Sequence, residues 1–182
     1  IDMAYKAVPG NSSDFYALQV LSAVLQGGQS SRLYQSLVKD KEMVSNVGGF
    51  MDEKRGVGGF YTNATLRGNS KTEDVEAIIY AEMDRLKKEP IADWELAKAK
   101  NTTRRALIGG LSSSLNRAVT IGQYTVYYNE PGLINTRLDK VAAITKEDVQ
   151  RVANKYLVDT NRTIVITTPK AKAKSTTTSS GQ

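Results

Sequence analysis

The chain has 182 residues, 40% of them hydrophobic, with 25 Lys plus Arg against 19 Asp plus Glu, and it contains neither His nor Cys. Without His there is no Ser-His-Asp or Cys-His nucleophile pair, no imidazole base and no histidine zinc site; without Cys there is no thiolate, disulfide, zinc finger or iron–sulfur ligation. Chemistry carried out by this chain alone therefore rests on carboxylates, Lys, Arg, Tyr or Ser.

The length suits one domain able to bury roughly 70% of the surface its unfolded chain exposes, without a staple. The first residue is Ile1, and nothing near it resembles a basic segment followed by an apolar core, so the start reads as a cut in a longer polypeptide. No apolar run approaches the ~20 residues needed to cross a bilayer, and a membrane is not an expected partner. The net charge is +6. Lys170, Lys172 and Lys174 lie in an acid-free terminal segment, and subtracting those three leaves +3, an ordinary mixed surface without basic-aromatic clusters; nucleic acid is not an expected partner either.

Asp2 to Val8 alternates as a half-buried strand ended by the turn Pro9-Gly10-Asn11. From Asp14, the spacing of Ala17, Leu18, Leu21, Val24 and Leu25 predicts an amphipathic helix, with Asn11, Ser12 or Ser13 at its start and Gly27-Gly28 at its stop. A shorter helix from Ser30 or Ser31 to Lys39 should bury Leu33, Leu37 and Tyr34. Met43–Met51 and Val57–Leu66 read as an antiparallel hairpin joined by Asp52-Glu53-Lys54-Arg55-Gly56, and the pairs Gly48-Gly49 and Gly58-Gly59 mark bulges or close backbone approach.

A long helical region follows from Thr72 to about Asn129, broken at Glu89-Pro90 and Gly109-Gly110. Its first part aligns Val75, Ile78, Ile79, Met83 and Leu86; its second, Ala92 to Ile108, carries Trp94, Leu96, Ala99 and Leu107; its third runs from Ser113 or Ser114 to Tyr128. A short helix through Leu138 and Val141 leads to a capping-box-like Thr145-Lys146-Glu147-Asp148, then a helix with Val149, Val152, Ala153, Tyr156 and Leu157, and a closing strand Arg162–Thr168. Residues 170–182 have no apolar payload and are expected to be disordered. The order predicts a two-layer α+β domain over residues 1–169, with helices on one face of a largely antiparallel mixed sheet.

Gly27-Gly28-Gln29-Ser30-Ser31-Arg32-Leu33-Tyr34 is neither a P-loop nor a dinucleotide fingerprint, and a capped helix-to-helix connection is the better local reading. The acidic pairs Glu73-Asp74 and Glu147-Asp148 fall in first helical turns, where capping accounts for them. Arg117 and Tyr124 stand seven residues, about two turns, apart on one helix, so a guanidinium and a phenol project to nearly the same side. Such donors could converge on a peptide carbonyl or its oxyanion. From spacing alone, a core-edge Tyr124 beside a solvated Arg117 is the better reading.

The run Leu25-Gln26-Gly27-Gly28-Gln29-Ser30-Ser31-Arg32-Leu33-Tyr34-Gln35-Ser36-Leu37, with Ile144-Thr145-Lys146-Glu147-Asp148-Val149 and Ala153-Asn154-Lys155-Tyr156-Leu157, resembles the C-terminal half-domain of the pitrilysin/insulinase family of zinc peptidases, the inverzincins. The resemblance covers about Met3 to Pro169 and implies a metallopeptidase half-domain of the mitochondrial-processing-peptidase-like type. In that family one half carries His-x-x-Glu-His and zinc, and the other presents an Arg and a Tyr to the peptide.

Arg117 and Tyr124 match that pair in spacing and are the implied catalytic and substrate-binding residues; no metal ligand is assigned here. The implied partners are an extended peptide and a zinc-bearing half, in the same polypeptide or another chain. Bacterial relatives are often exported, so a periplasmic or secreted location is expected. The alternatives are a non-catalytic structural or interaction module of the same architecture and, with little support, a Ser/Lys hydrolase.

Overall fold

A computed structural model describes residues 1–68 and 70–168; the expected disordered tail lies outside the described residues. The elements are β1 (Asp2–Lys6), α1 (Ser13–Gln26), β2 (Val44–Asp52), β3 (Gly59–Leu66), α2 (Thr72–Lys88), α3 (Asp93–Gly110), α4 (Ser114–Tyr128), α5 (Leu133–Ala142), α6 (Lys146–Tyr156) and β4 (Arg162–Val165). The short helix expected before Lys39 is wound as a π-helical segment, Tyr34–Asp40, closed by the Lys41 N–H on the Ser36 carbonyl at 3.2 Å. The sheet order is β2-β3-β1-β4, and all three ladders are antiparallel. The closing strand stops at Val165, because β1, its only partner among the described residues, has begun at Asp2 opposite it.

The helix expected to be amphipathic, α1, differs from that expectation. Eleven of its 14 residues are buried, and Ser13, Gln19 and Ala23 are the others. The sheet covers one side, while α3, α5 and α6 lie across the other. Its polar groups then need internal partners. Asp14 accepts hydrogen bonds from the Tyr156 hydroxyl at 2.6 Å, Arg151 at 2.7 Å and Lys155 at 2.9 Å. Gln26 donates to the Tyr61 carbonyl at 2.8 Å and accepts from the Thr62 hydroxyl at 2.7 Å. A Cβ at position 49 would run into that same amide and the Tyr61 carbonyl, which explains one glycine of the Gly48-Gly49 pair.

The Ser-Ser-Arg-Leu-Tyr run has a structural explanation. Ser31 donates to the Gly28 carbonyl at 2.7 Å, as a helix-to-helix connection requires, and Leu33 is fully buried. Arg32 forks onto Glu95 with Nε–Oε1 2.7 Å and Nη2–Oε2 2.8 Å, tying this connection to the first turn of α3. Glu95 also accepts from the Ala92 N–H at the start of that helix. Trp94, grouped with the apolar residues of α3, is 62% exposed, whereas Ala99 is buried; Asp93 and Trp94 lie in the first turn of the helix. Thr145 and Asp148 form the reciprocal cap of α6, with Asp148 N–H to Thr145 Oγ1 at 3.2 Å and Thr145 N–H to Asp148 Oδ2 at 3.1 Å. Among the described residues no helix is long and apolar enough to cross a membrane.

Replacing Arg32 by Met should leave the largely buried Glu95 carboxylate unpaired and cost about 3 kcal/mol in urea unfolding, with Arg32→Lys recovering only part because it lacks the fork. Burial pushes the Asp14 carboxyl up, but the Tyr156, Lys155 and Arg151 hydrogen bonds outweigh it and hold the pKa at about 2, below the ordinary 3.8. A carboxyl depressed on folding stabilises fully above its unfolded pKa, and that contribution, about 2 kcal/mol, disappears as pH falls through about 2. The urea midpoint of the wild type should therefore fall between about pH 5 and pH 2 more steeply than that of Asp14→Asn.

Candidate functional site

Helix α4 starts where the Ser113 hydroxyl accepts the Asn116 N–H at 3.0 Å and stops at Asn129, whose φ of 53° is left-handed. Its inward side carries Thr120, Tyr124 and Tyr128 at steps of four, and α5 is the helix it packs on. Its outward side carries Leu115, Val119 and Val126, all exposed. Thr120, Gln123 and Tyr124 form one wall of a cavity of about 500 Å³, whose other walls come from α1, α3, α5 and the edge strand β2. Gln19 and Ala23, two of the three α1 residues not fully buried, line it.

The two residues singled out by spacing have different surroundings. Arg117 is exposed, and its guanidinium donates to the Leu111 carbonyl at 3.3 Å and the Ser114 hydroxyl at 2.9 Å. Tyr124 is 4% exposed, and its phenol oxygen accepts from Arg137 Nη1. No hydrogen bond joins Arg117 to Tyr124 among the described residues.

Arg137 is itself 5% exposed. It pairs with Glu53, at 3.0 Å to Oε1 and 2.8 Å to Oε2, and its guanidinium carbon stands 5.5, 5.8 and 5.7 Å from the ring centres of Phe15, Tyr16 and Tyr124. Tyr128 donates to Glu53 at 3.3 Å and to the Lys54 carbonyl at 3.1 Å, and that carbonyl also accepts the Gly10 N–H. Burial raises the Tyr124 pKa, with Arg137 opposing; burial lifts Tyr16 to about 12; burial also raises Tyr128, and Glu53 adds to it. For Arg137 burial works against the charge, but Glu53 and Tyr124 prevail and its pKa is raised. All three phenols are neutral at physiological pH and keep their hydroxyl hydrogen.

Arg137 and Glu53 carried no local signal of a site, since they lie 84 residues apart. One clue was present: Leu133, Arg137 and Val141 recur at steps of four and are all buried, so a charge occupies an apolar stripe. Among the described residues no group of three or more carboxylates or other ligating side chains could hold a metal ion.

Residues 1–103 match the family model described as "Peptidase M16 inactive domain". The chain belongs to the M16 peptidase family, as its inactive domain. It is 30% identical over 169 residues to the zinc protease PqqE of Helicobacter pylori, covering 93% of this chain and 38% of that protein. An uncharacterized zinc protease of Streptomyces coelicolor is 27% identical over 142 residues, covering 78% of this chain and 31% of the relative. A crystal structure of a protease from Helicobacter pylori superimposes with a TM-score of 0.80 at 28% identity, covering 88% of this chain and 38% of that one. This M16 inactive domain thus spans about a third of the length of the relatives it matches, and its helices on an antiparallel sheet are the architecture of a half-domain in that family.

Gly10 lets the hairpin loop close over α4, because a Cβ there would run into Glu53 Cγ and the Tyr128 hydroxyl. Gly10→Ala should lower stability by about 1–3 kcal/mol in urea unfolding. Gly56→Ala, whose Cβ meets nothing within 4 Å, should stay within about 0.5 kcal/mol of the wild type.

Proposed function

We propose that this M16 inactive domain is the substrate-facing, chamber-closing half of a zinc metalloendopeptidase, with Arg117 and Tyr124 directed at the peptide bond to be cleaved. The zinc-bearing half, with a His-x-x-Glu-His motif, then lies elsewhere in the same polypeptide or on a partner chain. The observation that carries this reading is on α4, where a cavity-lining phenol and an exposed guanidinium lie two turns apart on one helix of an M16 inactive domain. Both groups are hydrogen-bond donors, the guanidinium through its N–H groups and the phenol through its O–H. They suit an extended peptide's carbonyl oxygen, and bind it more strongly as that oxygen gains negative charge.

Two further features support the assignment. The chain contains no His, so a His-x-x-Glu-His motif cannot come from it and has to be supplied by another half. The outward side of α4 exposes Leu115, Val119 and Val126 in one stripe, an apolar surface that a second half would cover.

In the assembled protein loaded with zinc, Arg117→Ala and Tyr124→Phe, made separately, should each lower kcat/KM for an unstructured peptide by about 100-fold, at unchanged circular dichroism. Unchanged kcat/KM in both variants would refute the role given to the pair.

A further inference from the structure

Tyr124 has an unusual pattern of hydrogen bonding. Its oxygen accepts from Arg137, which has five N–H donors and no acceptor, so the phenol's own hydrogen is not used in that bond. No acceptor for that hydrogen is found among the described residues, and Tyr124 lines the cavity. Arg137 is fixed in turn by both oxygens of Glu53 and by the rings of Phe15 and Tyr16, and Glu53 is fixed by Tyr128.

We propose that Arg137 is a positioning residue for the peptide reaction: it occupies the acceptor side of the Tyr124 hydroxyl, so that the O–H remains free to donate into the cavity. This rests on the reading of Tyr124 as a substrate-facing donor. The Arg137–Glu53 pair then extends the site through α5 to the loop between β2 and β3. A guanidinium donating to the phenol also polarises it and makes its O–H a stronger donor toward a developing oxyanion. A purely structural role explains less. A buried ion pair is weak support for stability, and an apolar side chain of similar volume among Phe15, Tyr16 and Leu133 would serve the core as well.

The test is a double-mutant cycle in the zinc-loaded, assembled protein, using Tyr124→Phe and Arg137→Met, with Arg137→Lys as a second variant. Arg137→Met should lower kcat about 10-fold or more with KM nearly unchanged. In the Tyr124→Phe background the same substitution should have little further effect, because the hydroxyl it positions is already gone. Arg137→Lys should restore part of kcat if Arg137→Met folds poorly by circular dichroism. An equal loss of kcat from Arg137→Met in both backgrounds would overturn the proposal.

A second readout separates this inference from the reading beneath it. The tyrosinate difference spectrum between the protein and its Tyr124→Phe variant reports the Tyr124 titration alone. Arg137 favours the ionised phenol, so Arg137→Met should move that titration to higher pH. If Tyr124→Phe leaves kcat/KM unchanged, the substrate-facing role fails, and the titration still reports whether Arg137 controls the phenol. If the titration does not move, the positioning role fails by itself.

Discussion

A helix with almost no solvent face has to find most of its hydrogen-bond partners inside the protein, and α1 is such a helix. Apolar burial supplies most of its stabilisation, but burying Asp14, Ser22 and Gln26 with it would be costly without hydrogen bonds. The requirement organises what surrounds it. Tyr156, Lys155 and Arg151 of α6 converge on Asp14 at one end, and Thr62 and the Tyr61 carbonyl of β3 engage Gln26 at the other. The sheet and α6 are therefore registered against α1 by polar contacts as well as by packing. Gly49 follows from the same requirement, since the Gln26 amide occupies the space a side chain would take.

The cavity is the place where this enclosure is incomplete. Gln19 and Ala23 are left partly uncovered because α4 is held away from α1, packed on α5. Beside that opening, Arg137 on α5 joins Tyr124 of α4 to Glu53 of the hairpin loop. Charge buried in a low-dielectric surrounding interacts strongly with its neighbours, and displacing it is expensive. A phenol fixed by such a group stands in a defined position beside an open space. That is the kind of preorganisation an oxyanion donor needs.

Much of the fold was legible along the chain, for reasons that differ between elements. The hairpin, the stripe of α2 and the Thr145–Asp148 cap of α6 are local: alternation, 3.6-residue periodicity and a reciprocal hydrogen bond each act over a few residues. Trp94 and α1 were misread because periodicity reports how many faces are apolar, and not which neighbours arrive to cover them. Trp94 lies in the exposed first turn of a helix, and α1 is covered by α3 and α6 on the side that would otherwise meet water. The Ser-Ser-Arg-Leu-Tyr run was legible as a family signature, while its physical purpose, the fork between Arg32 and Glu95, depends on a contact across 63 residues.

The sequence by itself determined that any metal chemistry resting on His or Cys is absent from this chain, that the domain is α+β, and that Arg117 and Tyr124 lie on one side of one helix. Those conclusions need only residue types and helical spacing. Tertiary structure decided how the two residues differ: Arg117 is turned to surface acceptors near the start of α4, and Tyr124 is buried against Arg137 at the edge of the cavity. The reason is the position of α5 and the hairpin loop, which bring Arg137 and Glu53 together from distant parts of the chain. No pattern of spacing records that encounter; the one trace of it in the sequence is a charged residue in the apolar stripe of α5.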